Sequence, residues 1–217
     1  MVRFLLIRHG ESMGNVQGVF LGQTDAPLSE KGMTQAELAA SYIVTHEHVD
    51  GIYASDLRRA YDTAAAVAKK VGLPIHPEPA LREIYAGAWE NKAYADLPTL
   101  YPADWGVWLT DIGRSRCTGG ESAAEVQARA MRRMTELALQ PENDGKTLVV
   151  AAHAMVLRCM MTAMRSLPLS EMKNVPFVHN ASITTVRYDK NAAQWHFDAI
   201  GRDDFMGALA TALPRNV

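Results

Sequence analysis

Two runs along the chain are apolar almost without interruption: Phe4-Leu5-Leu6-Ile7 near the start, and Thr147-Leu148-Val149-Val150-Ala151-Ala152 much later. Short runs of this kind, rich in branched residues, read as core strands. Elsewhere the spacing switches to helical period. Leu38, Ala39, Tyr42 and Ile43 recur at i, i+1, i+4 and i+5, and Ser29 offers an N-cap ahead of the run Ala36 to Val44. Gly51-Ile52-Tyr53-Ala54 reads as a short strand, Ser55 to Val71 as a helix ended by Gly72-Leu73-Pro74, and Pro74 to His76 as another short strand. Glu121 to Leu139 is helical in composition, and a helix from Ala154 to about Arg165 follows the second apolar run. Ser182 to Tyr188 and Gln194 to Ile200 are late strand candidates, and Asp203 to Leu213 reads as a terminal helix or tail.

Between Pro77 and about Gly120 the pattern breaks down into prolines (Pro77, Pro79, Pro98, Pro102) and aromatics, among them Trp89, Tyr94, Trp105 and Trp108. A segment this long, with helical pieces and no clear strand, reads as a cap inserted over a site rather than a linker. The alternation of strands and helices around it implies a largely parallel sheet with helices on both faces. The expectation is therefore one α/β domain over 1–217, a three-layer α/β/α fold with a mostly parallel central sheet and a helical cap insertion at about 77–120.

Each apolar run leads straight into a histidine: Arg8-His9-Gly10-Glu11 after the first, His153 after the second. In an open α/β sheet, ligands sit beyond the carboxyl ends of the strands. Parallel core strands would bring both imidazoles, with the Arg8 cation, to that one edge, which suits an anionic, phosphorylated substrate. A histidine can act as covalent nucleophile if one ring nitrogen is free and the other is held. Gly10 would let backbone come close to an oxyanion, and Asn15 can donate an amide hydrogen bond. The bland alternative for His9 is a satisfied core histidine at a strand end. In Ser55-Asp56-Leu57-Arg58-Arg59-Ala60, Ser55 or Asp56 could cap a helix whose N-terminus favours anions. Arg58 and Arg59 lie about 100° apart on that helix, so one of them can face the crevice while the other faces solvent. Glu83, flanked by apolar residues, would gain a raised pKa on partial burial and so serve as a general acid. From spacing alone, a salt bridge to Arg82 or a surface carboxylate is the stronger reading of it. His46, His48, His76, His179 and His196 have no metal-pair spacing and no accompanying carboxylate cluster, so no metal is expected.

Composition narrows the class. The 217 residues are 48% hydrophobic and 21% charged, with a formal net charge of −2, so neither nucleic acid nor an anionic membrane is an expected partner. Cys117 and Cys159 are too few and too far apart for a disulfide framework or a thiolate metal site. The N-terminal apolar run is too short for a signal peptide, and no stretch reaches the length of a membrane span, so a cytoplasmic protein is expected. Met155 to Met164 reads as core rather than interface; a homodimer is left open.

These residues together resemble the signature of the histidine phosphatase superfamily, also called the phosphoglycerate mutase-like family. The resemblance runs in order through Leu6-Ile7-Arg8-His9-Gly10-Glu11 and Asn15, then Gly22, Asp25-Ala26-Pro27-Leu28-Ser29 and Gly32. It continues through Ser55-Asp56-Leu57-Arg58-Arg59-Ala60 with Thr63-Ala64, Leu81-Arg82-Glu83 with Trp89-Glu90, His153 with Leu157-Arg158, and Asn180-Ala181-Ser182-Ile183. It implies that His9 accepts the phosphoryl group and that Arg8, Arg59 and His153 bind it. It implies that Glu83 protonates the leaving group and then activates water, that Asn15 is a secondary phosphate contact, and that neither metal nor cofactor is needed. Leu21, Gly22 and Ala154 fall at substrate-binding positions. The chain departs from the family in three places. Ala154 replaces the usual Gly after the second histidine. Leu21-Gly22 stands where the mutase branch has Thr-Gly. Glu83-Ile84-Tyr85-Ala86-Gly87 stands where that branch has Glu-Arg-x-Tyr-Gly. Leu21 and Ile84 would line a less polar leaving-group pocket. The implied enzyme is a histidine acid phosphatase-type phosphoric monoester hydrolase acting on a small phosphorylated metabolite. A cofactor-dependent phosphoglycerate mutase is the enzymatic alternative, and a phospholigand-binding module on the same scaffold the non-enzymatic one.

Overall fold

The computed structural model describes residues 1–211. Eight strands are formed: β1 (Val2–Arg8), β2 (Val19–Phe20), β3 (Gly51–Ala54), β4 (Ile75–Pro77), β5 (Lys92–Ala93), β6 (Thr147–Ala152), β7 (Ile183–Asp189) and β8 (Gln194–Arg202). The helices are α1 (Met13–Gln17), α2 (Glu30–His46), α3 (Arg58–Val71), α4 (Leu97–Leu100), α5 (Pro102–Thr110), α6 (Ala123–Leu139) and α7 (Ala154–Met164).

Six strands make the central sheet in the order β4-β3-β6-β1-β7-β8. The pairs β3–β4, β3–β6 and β1–β6 are parallel, and β7 is antiparallel to both β1 and β8. The two uninterrupted apolar runs are thus neighbours at the centre, buried on both faces. Phe4, Leu6, Leu148 and Val150 face one side, in a cluster with residues of α6 and α7. Leu5, Ile7, Val149 and Ala151 face the other, with residues of α2 and α3. This alternation explains why neither run could spare a polar position. Met155, Met160, Met161 and Met164 are buried in the first cluster, as a core reading of that helix requires.

The helix expected from Ser55 begins only at Arg58. Neither Ser55 nor Asp56 caps it, because both are engaged elsewhere. The Ser55 hydroxyl lies 2.8 Å from His153 Nε2, and Asp56 accepts from Arg82 Nε at 2.7 Å. Asp25 Oδ1 takes the Arg58 amide instead, at 2.8 Å. The expected tail at Asp203 to Leu213 forms 3₁₀ turns over Asp204–Leu209, while Ala212 and Leu213 lie outside the described residues.

The segment after Pro77 contains the short helices α4 and α5 and one two-residue strand, β5, which pairs with β2. Its aromatics pack as a block: Phe20, Trp89 and Trp108 meet edge to face at centroid distances of 5.3–5.6 Å. Trp89, Leu97, Trp105 and Trp108 belong to the same apolar cluster as Phe4 and Leu6 of the sheet. The segment therefore has no separate core. Among the described residues, no helix is long and apolar enough to cross a membrane.

Candidate active site

Register alone brings the two histidines together. Arg8 pairs with Ala152 at the ends of β1 and β6, and the His9 amide donates to the Ala152 carbonyl at 3.0 Å. The next residue on each strand is a histidine, and their ring centroids are 5.1 Å apart. Both rings are buried.

His9 Nδ1 lies 2.7 Å from the carbonyl of Gly10. A carbonyl can only accept, so Nδ1 carries the proton and Nε2 presents its lone pair. Burial, with the Arg59 and Arg8 charges close by, holds the His9 pKa well below 6.5, so the ring is neutral at neutral pH. One nitrogen is held and the other is free, as nucleophilic use of a histidine requires.

His153 is set by a different device. Its Nε2 meets Ser55 Oγ at 2.8 Å, and that oxygen already accepts the Leu57 amide at 3.3 Å. The Ser55 hydroxyl proton has no other acceptor among the described residues, so it points at Nε2. Nδ1 must then carry the proton of the neutral ring. Burial and the Arg59 charge hold the His153 pKa low as well. Nδ1 is buried with no hydrogen-bond partner among the described residues, leaving an N–H donor for a ligand. Ser55→Ala would strand Nε2 in a buried position and free the tautomer. A loss of roughly 1–3 kcal/mol in transition-state binding, about 5- to 150-fold in kcat/KM, is expected, measured on an aryl phosphate.

Arg59 opens the face of α3 turned toward the sheet and is buried, while its neighbour Arg58 is exposed and pairs with Asp62. Arg59 donates to the carbonyls of Thr24 at 3.0 Å and Gly22 at 2.8 Å. Arg8 donates to the carbonyl of Val178 at 2.7 Å and lies over the Phe177 ring. Neither makes a salt bridge among the described residues. Burial lowers both pKa values, that of Arg8 to about 10, and both guanidinium groups stay charged at neutral pH. Two buried cations held by backbone carbonyls, with no carboxylate in salt-bridge contact among the described residues, make a positive centre that an anion would complete.

Glu83 is not the surface carboxylate that its spacing favoured, nor does it pair with Arg82, which is taken by Asp56. Its Oε1 accepts the amide of Ile84 at 2.8 Å, and Oε2 accepts that of Met155, in the first turn of α7, at 3.3 Å. Desolvation outweighs those bonds and the nearby Arg59 charge, and its pKa is raised above 4.5. Arg129, which no local pattern flagged, and Glu90, which entered only with the family resemblance, support this stretch. Arg129 of α6 donates to the carbonyls of Glu83 and Ala80 at 3.0 and 2.8 Å while paired with Glu121 through two bonds. Glu90 accepts from the Gln23 amide and the Thr24 hydroxyl, steadying the loop whose carbonyls hold Arg59.

Gly10 does not offer its N–H to a ligand, because that group donates to Thr63 Oγ1 at 3.0 Å. Its lack of a side chain serves packing: a Cβ there would come within 2.4 Å of the Gly32 carbonyl on α2. Gly22 has φ +54, and a Cβ on it would meet that of Ala86 at 2.5 Å. Asn15 Oδ1 accepts from Ser12 and from Asn180 Nδ2, so its own amide nitrogen is the part left for a ligand. Ala154 opens α7 and has no positive φ, so its methyl costs nothing in backbone strain.

Arg8, His9, Asn15, Leu21, Gly22, Arg59, Glu83 and Ala154 all line one pocket of about 380 Å³. The inserted segment adds Ile84, Tyr94, Trp108 and Ile112. Among the described residues, no group of three or more His, Cys, Asp or Glu side chains is placed to hold a metal ion. Cys117 and Cys159 are buried, and both are free thiols.

The profile of the family described as histidine phosphatase superfamily (branch 1) matches residues 4–200. Phosphoserine phosphatase 1 of Hydrogenobacter thermophilus is 34% identical over 171 residues, covering 79% of this chain and 80% of that protein. A Yersinia pestis protein named probable phosphoglycerate mutase GpmB is 31% identical over 205 residues, covering 93% of each. Among solved structures, mycobacterial glucosyl-3-phosphoglycerate phosphatase in complex with VO3 gives a TM-score of 0.85 at 31% identity, covering 94% of this chain and 100% of that one.

Proposed function

The chain belongs to the histidine phosphatase superfamily, branch 1, and from that premise we propose that it hydrolyses a small phosphate ester through a covalent phosphohistidine. Membership by itself carries a phosphatase or a mutase. The observation that carries the further step is a neutral, oriented His9 beside two buried arginines that form no salt bridge among the described residues.

In this reading His9 Nε2 attacks phosphorus in line with the ester oxygen. Phosphoryl transfer needs placement and charge compensation more than covalent help. Arg8, Arg59 and the Nδ1–H of His153 bind the equatorial oxygens, and Asn15 supplies a further amide donor. Glu83, whose pKa is raised by desolvation, gives its proton to the departing alkoxide. The resulting carboxylate then takes a proton from water as that water attacks the phosphohistidine. Phosphate leaves, His9 regains its lone pair, and Glu83 is protonated again. No step calls on a metal.

Hydrolysis is favoured over mutase chemistry by what flanks the phosphoryl end. Leu21 and Ile84 stand on the pocket wall, offering no polar grip on a phosphoglycerate carboxylate. The experiment is to incubate the protein with p-nitrophenyl phosphate and with 3-phosphoglycerate, in the presence and absence of EDTA. Phosphate release unaffected by chelation, and faster than any formation of 2-phosphoglycerate, is the expected outcome. Net isomerisation outrunning phosphate release would make the chain a mutase, and phosphate binding without turnover would make it a binding module.

A further inference from the structure

The pocket has a sharply divided chemistry. Of the residues lining it, four are acidic or basic: Arg8, Arg59, Glu11 and Glu83. Both cations sit at the phosphoryl end beside His9, where one phosphate dianion would engage them together. What remains charged is acidic. Glu11 accepts from the Ser29 hydroxyl at 2.8 Å, and the nearby Lys31 is already paired with it at 3.6 Å and does not line the pocket. Ser12, Asn15, Asn180 and Thr211 are polar and uncharged, and the rest of the wall is largely apolar or aromatic, with Leu21, Ile84, Ile112 and Phe177 drawn from separate parts of the chain. The Tyr94 hydroxyl is itself desolvated beside Glu83, which pushes its pKa up to about 12, so it stays neutral.

We infer that the preferred substrate is a phosphate monoester whose alcohol part carries no second anion and presents an apolar or aromatic body. This rests on the phosphatase reading and names the substrate class for the same site. A carboxylate or second phosphate on the alcohol would enter a wall where no described lining cation is left for it, beside the Glu11 carboxylate. Burying a charge without a partner is heavily disfavoured. An alkyl chain or ring, by contrast, gains from every group it withdraws from water, and about 380 Å³ accommodates such a body together with the phosphate.

The test uses the purified full chain and primary alkyl phosphates of nearly equal leaving-group acidity: ethyl, butyl, hexyl and 2-phenylethyl phosphate. kcat/KM should rise about three- to fourfold for each buried methylene, with 2-phenylethyl phosphate roughly 10- to 100-fold above ethyl phosphate. 3-Phosphoglycerate and O-phosphoserine should fall below butyl phosphate. A flat dependence on chain length, or preference for either anionic ester, would overturn the inference. Leu21→Arg should shift the ratio of 3-phosphoglycerate to hexyl phosphate turnover upward by an order of magnitude or more; an unchanged ratio counts against it. Alkylphosphonates, which cannot be hydrolysed, give a readout independent of turnover. Their Kd should tighten with chain length by the same factor, and an unchanged Kd overturns the inference even in an active enzyme. If binding tightens as expected but no ester releases phosphate, the phosphatase reading is the part that has failed.

Discussion

The His9→Ala variant is expected to release phosphate at no more than about one ten-thousandth of the parent rate, since loss of a covalent nucleophile removes the pathway rather than weakening it. The physical basis is the ring's division of labour. Nδ1 is committed to the Gly10 carbonyl at 2.7 Å, and Nε2 presents its lone pair close to the Arg8 and Arg59 charges. Alanine removes that lone pair and leaves both guanidinium groups in place, so orthophosphate should still bind within a few-fold of the parent affinity. That retained affinity separates lost chemistry from lost folding. Acid-labile ³²P should appear on the parent chain after a rapid quench and be missing from the variant. Parent-like hydrolysis of p-nitrophenyl phosphate by the variant would remove His9 from the mechanism.

The second large effect is expected at Glu83, and it should depend on the leaving group. kcat/KM reports events up to release of the alcohol, so Glu83→Gln should lower it about 10²- to 10⁴-fold for alkyl phosphates, which need protonation, and far less for p-nitrophenyl phosphate. Equal losses on both would argue against Glu83 as the acid. The pH profile gives an independent sign. Activity requires neutral His9, whose pKa is depressed below 6.5, and protonated Glu83, whose pKa is raised above 4.5. Deprotonation of His9 makes activity rise with pH, and the depression of its pKa enlarges the fraction of active enzyme. Ionisation of Glu83 makes activity fall again, and the rise of its pKa enlarges that fraction further. Glutamine cannot titrate, so the alkaline limb should vanish in the variant while the acid limb stays.

Pattern reading recovered some residues and missed others for identifiable reasons. Arg59 and Arg58 were separable as one inward and one outward residue because helical geometry is local, and Arg59 is indeed the buried one. Glu83 was under-read because its neighbours in sequence do not desolvate it. Its surroundings come from α7, from Arg129 and from the inserted segment. Ser55, like Asp56, is of a residue type that could cap the helix, but its hydroxyl is drawn to His153. Gly10 was read as an opening for an oxyanion, yet contact with Gly32 is what excludes a side chain there. In each miss the deciding partner is remote in sequence.

Taken alone, the chain determined its six central strands, its main helices and the candidate reacting groups, because apolar periodicity and residue chemistry are properties of short segments. The pairing of β6 between β3 and β1 was decided only on folding, and that placement turns two separate histidines into neighbours 5.1 Å apart. Folding also decided which carboxyl is desolvated, which tautomer His153 adopts and how apolar the pocket wall becomes. Dielectric, hydrogen-bond direction and cavity shape arise from groups that meet only after long stretches of chain have closed on one another.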